Sequence, residues 1–159
     1  MPRLVLGKGT EKINLGARKE TQVTWGEKME KRARILLVDD DPDFIEATRA
    51  VLKSQPYEVI TALSGEEGLE KARKEKVDLV LLDIIMPGVD GFQVCQQLKK
   101  DPRLANIPVI MITSFSERYM ETSLPLSQGL TLEAEDFVDK PVAPTELLIR
   151  VEKWLKKRG

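Results

Sequence analysis

Histidine is absent from this 159-residue chain. That excludes histidine-based catalytic triads, imidazole-ligated metals and a phosphohistidine of the chain's own, so any phosphoryl group reaching it comes from another molecule. Cysteine occurs once, at Cys95, which rules out an internal disulfide and leaves zinc and copper poorly served. A lone thiol predicts an intracellular, cytoplasmic setting. Cys95 shares a helical pattern with Phe92 and Leu98, where it packs rather than reacts. No stretch approaches the ~20 apolar residues of a membrane span, so no membrane insertion is expected. The apolar run in Met1-Pro2-Arg3-Leu4-Val5-Leu6-Gly7 is too short for a signal peptide. Aromatic residues are scarce, at 5%, but apolar residues make up 42%, enough to bury a core. One charge sign does not dominate either: the net charge is −1, which excludes a polyanion binder over the whole chain.

The charge is unevenly spread. Residues 1–33 carry eight Lys/Arg against four Asp/Glu, and the remainder carries 17 against 22. A mildly basic extension precedes an acidic domain. The extension shows no helical period; Leu4-Val5-Leu6 and Ile13-Asn14-Leu15 read as short strands, Met29 to Arg32 as a helical turn, and the whole as a flexible tail in which Trp25 keeps a docking role open. A net +4 with one tryptophan does not support nucleic-acid binding, and no direct DNA contact is expected.

From Arg34 onward apolar runs alternate with amphipathic stretches. Strands are predicted at 35–38, 57–62, 77–83, 107–113 and 137–139. A first helix carries Phe44, Ile45, Thr48, Val51 and Leu52 at helical spacing. Ser64-Gly65-Glu66-Glu67 reads as a capping box opening a second helix with Leu69 and Ala72 on one face. Asp90 caps a third helix that ends near Asp101-Pro102. Pro144 suits the first turn of a last helix, with Leu148, Val151 and Leu155 on its inner face and Lys153, Lys156, Lys157 and Arg158 complementing its C-terminal dipole. Residues 116–135 resist this scheme: Glu117 to Leu124 can begin a helix, but Pro125 interrupts it and Gly129 follows. Because the first, third and fourth strands are almost continuously apolar, they read as strands covered on both faces, and five βα units predict a doubly wound α/β fold with a parallel sheet. Such sheets place their sites at the carboxyl ends of the strands.

Five polar residues fall at those ends: Asp39, Asp40, Asp83, Thr113 and Lys140. Three carboxylates repel one another unless a cation neutralises them, and Asp39, Asp40 and Asp83 offer the hard oxygen ligands that Mg²⁺ prefers. The bland alternative is a solvated strand end. Lys140 and Thr113 at the same edge weigh against it. A carboxylate can itself attack phosphorus, and Asp83, central and single, is the best candidate nucleophile. Lys140 and the Thr113 hydroxyl would then cover phosphoryl oxygens, since phosphoryl transfer needs mainly positioning and charge neutralisation. Lys140 precedes Pro141, which restricts its backbone to extended conformations and admits a cis peptide. Gly88 and Gly91 read as turn residues.

The runs Ile35-Leu36-Leu37-Val38-Asp39-Asp40-Asp41, Asp83-Ile84-Ile85-Met86-Pro87-Gly88-Val89-Asp90-Gly91, Met111-Ile112-Thr113-Ser114 and Asp136-Phe137-Val138-Asp139-Lys140-Pro141 together resemble the receiver domain of two-component response regulators, over residues 34–157. The resemblance implies a flavodoxin-like sheet of strand order 2-1-3-4-5. It implies Asp83 as phosphoacceptor, Asp39 and Asp40 as the Mg²⁺-binding pair with the Ile85 backbone carbonyl as a further ligand, and Thr113 and Lys140 as switch hydroxyl and phosphate-binding lysine. Asp41 is not expected among the metal ligands. Phe137 stands where the family carries its switch aromatic. The expected domains are an extension, 1–33, and a receiver, 34–159. Expected partners are a histidine kinase or phosphotransfer protein and an unidentified downstream protein, with homodimerisation left open. No enzyme activity is expected beyond the domain's own phosphorylation and dephosphorylation. Two features depart from the family: the span from Thr113 to Lys140 is a few residues long and contains Pro125, and no output domain follows Gly159, which fits a single-domain regulator or a piece of a longer protein.

Two other readings compete. A constitutive interaction module would keep the fold without phosphorylation. A Mg²⁺-dependent aspartyl-phosphate phosphatase of the haloacid dehalogenase type would carry a second acid two residues after its nucleophile, where this chain has Ile85. Ile85 and Phe115, each two residues past a site residue, cannot orient an attacking water, so a slowly hydrolysed aspartyl phosphate is expected.

Overall fold

The computed structural model describes residues 10–14, 20–24, 32–114 and 133–158. The chain divides into two compact units, residues 1–32 and 33–159. In the first, β1 (Thr10–Asn14) pairs antiparallel with β2 (Glu20–Thr24), Thr10 opposite Thr24 and Asn14 opposite Glu20. Ile13 and Asn14 thus lie in a strand as expected. Leu4-Val5-Leu6, Trp25 and Met29 lie outside the described residues.

The second unit runs β3 (Arg34–Val38), α1 (Pro42–Lys53), β4 (Glu58–Ala62), α2 (Gly65–Lys74), β5 (Leu79–Asp83), α3 (Gly91–Lys100), β6 (Val109–Thr113), β7 (Asp136–Asp139) and α4 (Pro144–Arg158). All pairings in its sheet are parallel, in the order β4-β3-β5-β6-β7. Counted along the sheet's own strands this is 2-1-3-4-5, a flavodoxin-like doubly wound fold. Residues 115–132, which contain Phe115, Pro125 and most of the segment that resists the βα scheme in the sequence, lie outside the described residues.

Period-two alternation sends each strand's apolar residues to opposite faces. Leu36, Val38, Val80, Leu82, Val109 and Met111 join Leu69, Ala72, Val94, Cys95 and Leu98 of α2 and α3 in one buried cluster. Ile35, Leu37, Leu79, Leu81, Ile110 and Ile112 join Ile45 and Leu52 of α1 and Leu147 and Val151 of α4 in the other. Every residue of β5 and β6 is buried, which is why these strands read as unbroken apolar runs. On α4 the fully buried pair is Leu147 and Val151, while Leu148 and Leu155 pack at the margin. The expected face of Leu148, Val151 and Leu155 thus packs on the core, with Leu147 as an addition the sequence reading left out.

Side chains fix where the helices begin. Asp41 caps α1 by accepting from the Asp43 N–H at 2.9 Å, with Pro42 in the first turn. Ser64 caps α2, accepting from the Glu67 N–H. The expected box closes differently, because Glu67 Oε1 accepts from the Leu63 N–H at 2.8 Å rather than from Ser64. That bond and the neighbouring Lys71 hold the Glu67 carboxyl below its usual pKa. The complete reciprocal box belongs to α3, between Asp90 and Gln93. These caps place the first turns of all three helices at the carboxyl edge of the sheet.

Candidate functional site

Asp39 follows the last residue of β3 and Asp83 ends β5, adjacent strands in the middle of the sheet. Both carboxylates are 1% exposed, whereas Asp40 is exposed. Carboxylate oxygens of Asp39, Asp40 and Asp83 lie within 4.8 Å of one another. Two unit charges at that separation repel by about 3 kcal/mol at an effective dielectric constant near 20, so burying such a group requires positive charge nearby.

Lys140 supplies part of it. Its Nζ donates to Asp39 Oδ2 at 2.8 Å and lies 3.6 Å from Asp83 Oδ1, with 13% of the side chain exposed. Its backbone N–H donates to the Thr113 carbonyl at 2.7 Å, so the end of β6 sets the position of the lysine. The Lys140–Pro141 peptide is cis. Thr113 is buried, and its strand pairs with β5 through Ile112 opposite Asp83. Lys140 alone does not balance three carboxylates. Its donors are all oxygens, no imidazole exists in the chain, and Cys95 is buried with its thiol pushed up to about 11, chiefly by burial. This donor set fits a hard divalent cation such as Mg²⁺.

The turn after Asp83 is built around glycine. Gly88 adopts φ +78°, the left-handed region. Gly91 packs onto the β5 end: a Cβ there would meet the Asp83 carbonyl oxygen in hard overlap and come within 2.7 Å of the Ile84 Cα. The Gly91 N–H donates to the Ile84 carbonyl at 2.7 Å, closing the turn that carries Ile85. Ile85 packs at the edge of the α2/α3 cluster.

The structure therefore gathers Asp39, Asp40, Asp83 and Lys140 directly, with Thr113 on the neighbouring strand end. Phe137 is 43% exposed on the edge strand β7, apart from the carboxylates. Asp41 is taken up by helix capping, which accounts for its exclusion from the acidic group. Phe44 was missed as a site residue. Its ring centroid lies 4.2 Å from Lys140 Nζ, and both residues line a groove of about 510 Å³ with Ala47, Thr48, Pro141 and Leu147. The available signal was its place in the first turn of a helix that starts three residues after Asp39; the helical pattern alone marks it as core.

A doubly wound parallel sheet with an acidic cluster and one lysine at its carboxyl edge defines a class of α/β domains whose site lies beyond the strand ends, here with oxygen donors suited to a hard cation. The chain belongs, within that class, to the response regulator receiver domain family, whose family model matches residues 35–152. It is 42% identical over 119 residues to the response regulator PleD of Caulobacter vibrioides, covering 75% of this chain and 25% of PleD. Among solved structures it resembles a CheY-like response regulator receiver domain protein of Methanospirillum hungatei, with TM-score 0.70, 29% identity, and 80% and 97% of the two chains covered. It also resembles the response regulator TrrA of Thermotoga maritima, solved in complex with Mg²⁺ and BeF, with TM-score 0.64, 35% identity, and 77% and 98% covered. The chain spans a quarter to about half the length of the curated relatives it matches. No described helix is long and apolar enough to cross a membrane.

Proposed function

We propose that this chain is a phosphorylation-switched receiver that takes a phosphoryl group onto Asp83 from a histidine kinase or phosphotransfer protein. The observation that carries the reading is the buried Asp83 carboxylate, within 4.8 Å of two further carboxylates and 3.6 Å from the Lys140 ammonium. An Asp83 oxygen attacks phosphorus, the P–N bond to the donor imidazole breaks, and its electron pair stays on the departing nitrogen. Lys140 neutralises charge on the transferring group, and the Thr113 hydroxyl donates to it at the end of β6. Asp39, Asp40, Asp83 and the Ile85 carbonyl would hold Mg²⁺, which supplies charge neutralisation at a phosphoryl oxygen. Phe137, exposed on β7, is the switch aromatic whose reorientation alters the surface offered to a downstream protein. The receiver proper is residues 34–159, with 1–33 as an extension. Ile85, in place of a second acid, supports a switch over a phosphatase.

Incubation of the full chain with Mg²⁺ and acetyl phosphate, followed by intact-mass measurement, tests the reading. One added phosphoryl group is expected in the wild type and none in Asp83→Ala. An unmodified wild type, or modification that survives Asp83→Ala, overturns it.

A further inference from the structure

The Lys140 ammonium is held from three directions. Asp39 Oδ2 is at 2.8 Å, Asp83 Oδ1 at 3.6 Å, and the Phe44 ring centroid at 4.2 Å. Asp83 ends β5 and Asp39 follows β3, whereas Phe44 comes from α1. A lysine ends in a compact point charge on a flexible four-carbon stem, so the direction of its ammonium depends on what surrounds it. An aromatic face attracts a cation through its quadrupole, yet it brings no net negative charge and no oxygen lone pair. An acid or amide at position 44 would offer an acceptor that competes with an incoming phosphoryl oxygen for the same N–H donors. An aliphatic side chain would supply bulk without attraction.

We propose that Phe44 is a positioning residue for phosphoryl transfer, its ring face holding the Lys140 ammonium against Asp39 and Asp83 without competing for the phosphoryl group. This rests on the reading of Asp83 as phosphoacceptor. The opposing account is packing alone, since Phe44 also touches the α1/α4 core cluster. The two accounts separate in their dependence on the charge at position 140.

The experiment measures the rate of modification of Asp83 by acetyl phosphate and Mg²⁺ in the full chain, with no protein donor to be affected by changes on α1. Phe44→Leu is expected to slow the reaction roughly threefold to tenfold, the range of a partly desolvated cation–π contact, and Phe44→Met to behave alike. Phe44→Tyr, which keeps the ring face, is expected to stay within about twofold of wild type. In a Lys140→Met background, Phe44→Leu is expected to cause no further loss, because no cation remains to be held. Thermal melts of each variant identify any that lose the fold. Equal rates for wild type, Phe44→Leu and Phe44→Met overturn the positioning role, as does the same fold-loss from Phe44→Leu with and without the lysine. Both results leave Asp83 as phosphoacceptor intact. A wild type that gains no phosphoryl group from acetyl phosphate overturns the Asp83 reading itself, and the positioning role falls with it.

Discussion

Asp39 uses both of its carboxylate oxygens within the protein: Oδ1 accepts from the Asp41 N–H at 2.9 Å and Oδ2 from Lys140. A carboxylate oxygen has two lone-pair directions, so these bonds orient the group and still leave room for a cation. The same demand for polar partners at a buried edge makes the contrast with Ile85 instructive. Its side chain has neither donor nor acceptor and packs on the α2/α3 cluster, so it could not fix a water for attack on the aspartyl phosphate proposed at Asp83. Replacing it by asparagine supplies that contact. Ile85→Asn is expected to lose its phosphoryl group about fivefold faster than wild type, the rate equivalent of one hydrogen bond of ~1 kcal/mol. The decay of the phosphorylated mass after removal of acetyl phosphate measures this, and a slower decay in the variant would refute it. At this scale the grouping of Asp39, Asp40, Asp83 and Lys140 was legible in the sequence because several charged residues fall at the ends of different apolar strands, which a solvated strand end explains singly but not together. Phe44 was not, since an aromatic at core spacing gives no hint that its ring faces a cation.

Two side-chain networks among the described residues tie elements together. On β7 and α4, Arg150 donates to Asp136 Oδ1 at 2.7 Å and to the Phe137 carbonyl at 3.3 Å, and the Trp154 indole N–H donates to Asp136 Oδ2 at 2.9 Å. Away from the site, the Lys99 side chain, 6% exposed, leaves α3 to donate to Glu135 Oε1 at 2.6 Å and to the carbonyls of Ala105 and Ile107. Glu135 Oε2 accepts from the Val109 N–H at 2.6 Å. One ion pair thus joins α3, the turn after it, the start of β6 and the approach to β7. Removing one partner of a buried pair leaves the other charge poorly compensated, which costs ~3–5 kcal/mol when both are fully buried. Glu135 is 25% exposed, so Glu135→Gln is expected to destabilise the protein by about 2 kcal/mol. Urea unfolding would show a lower midpoint at unchanged slope, and a change below about 0.5 kcal/mol would rule the ion pair out as a major tie. None of this was readable beforehand: Lys99 looks like an ordinary C-terminal helix lysine, and its partner lies 36 positions later. Capping was partly readable. Asp90 and Ser64 are visible as caps from residue type, but whether Glu67 returns to Ser64 or to Leu63 is settled by the path of the chain out of β4.

At the scale of the whole molecule, the parallel sheet was legible because its central strands, buried on both faces, leave short apolar runs that alternate with amphipathic stretches of helical period. Strand order was not contained in those runs; it follows from which helices cover which face, a long-range matter that only family resemblance supplied. Both hydrophobic clusters draw all their residues from between Ile35 and Leu155, and every residue of the acidic site lies in the same unit. A domain whose core and site are contained in one segment has the means to fold as that segment. The paired strands β1 and β2 have no comparable standing, since a two-stranded ladder alone is marginal in water. Deleting residues 1–32 is therefore expected to leave cooperative unfolding in place, with Tm shifted by less than about 4 °C, which corresponds to under ~1 kcal/mol for a domain of this size. The shortened protein is also expected to accept a phosphoryl group from acetyl phosphate at a rate within about twofold of the full chain, because Asp39, Asp40, Asp83 and Lys140 are all retained. Calorimetry and intact-mass kinetics on the two proteins decide the matter. Loss of the cooperative transition, or of Asp83 modification in a protein that still melts cooperatively, would mean that the first unit contributes to the receiver's stability or to its chemistry, and that 34–159 is not the functional domain.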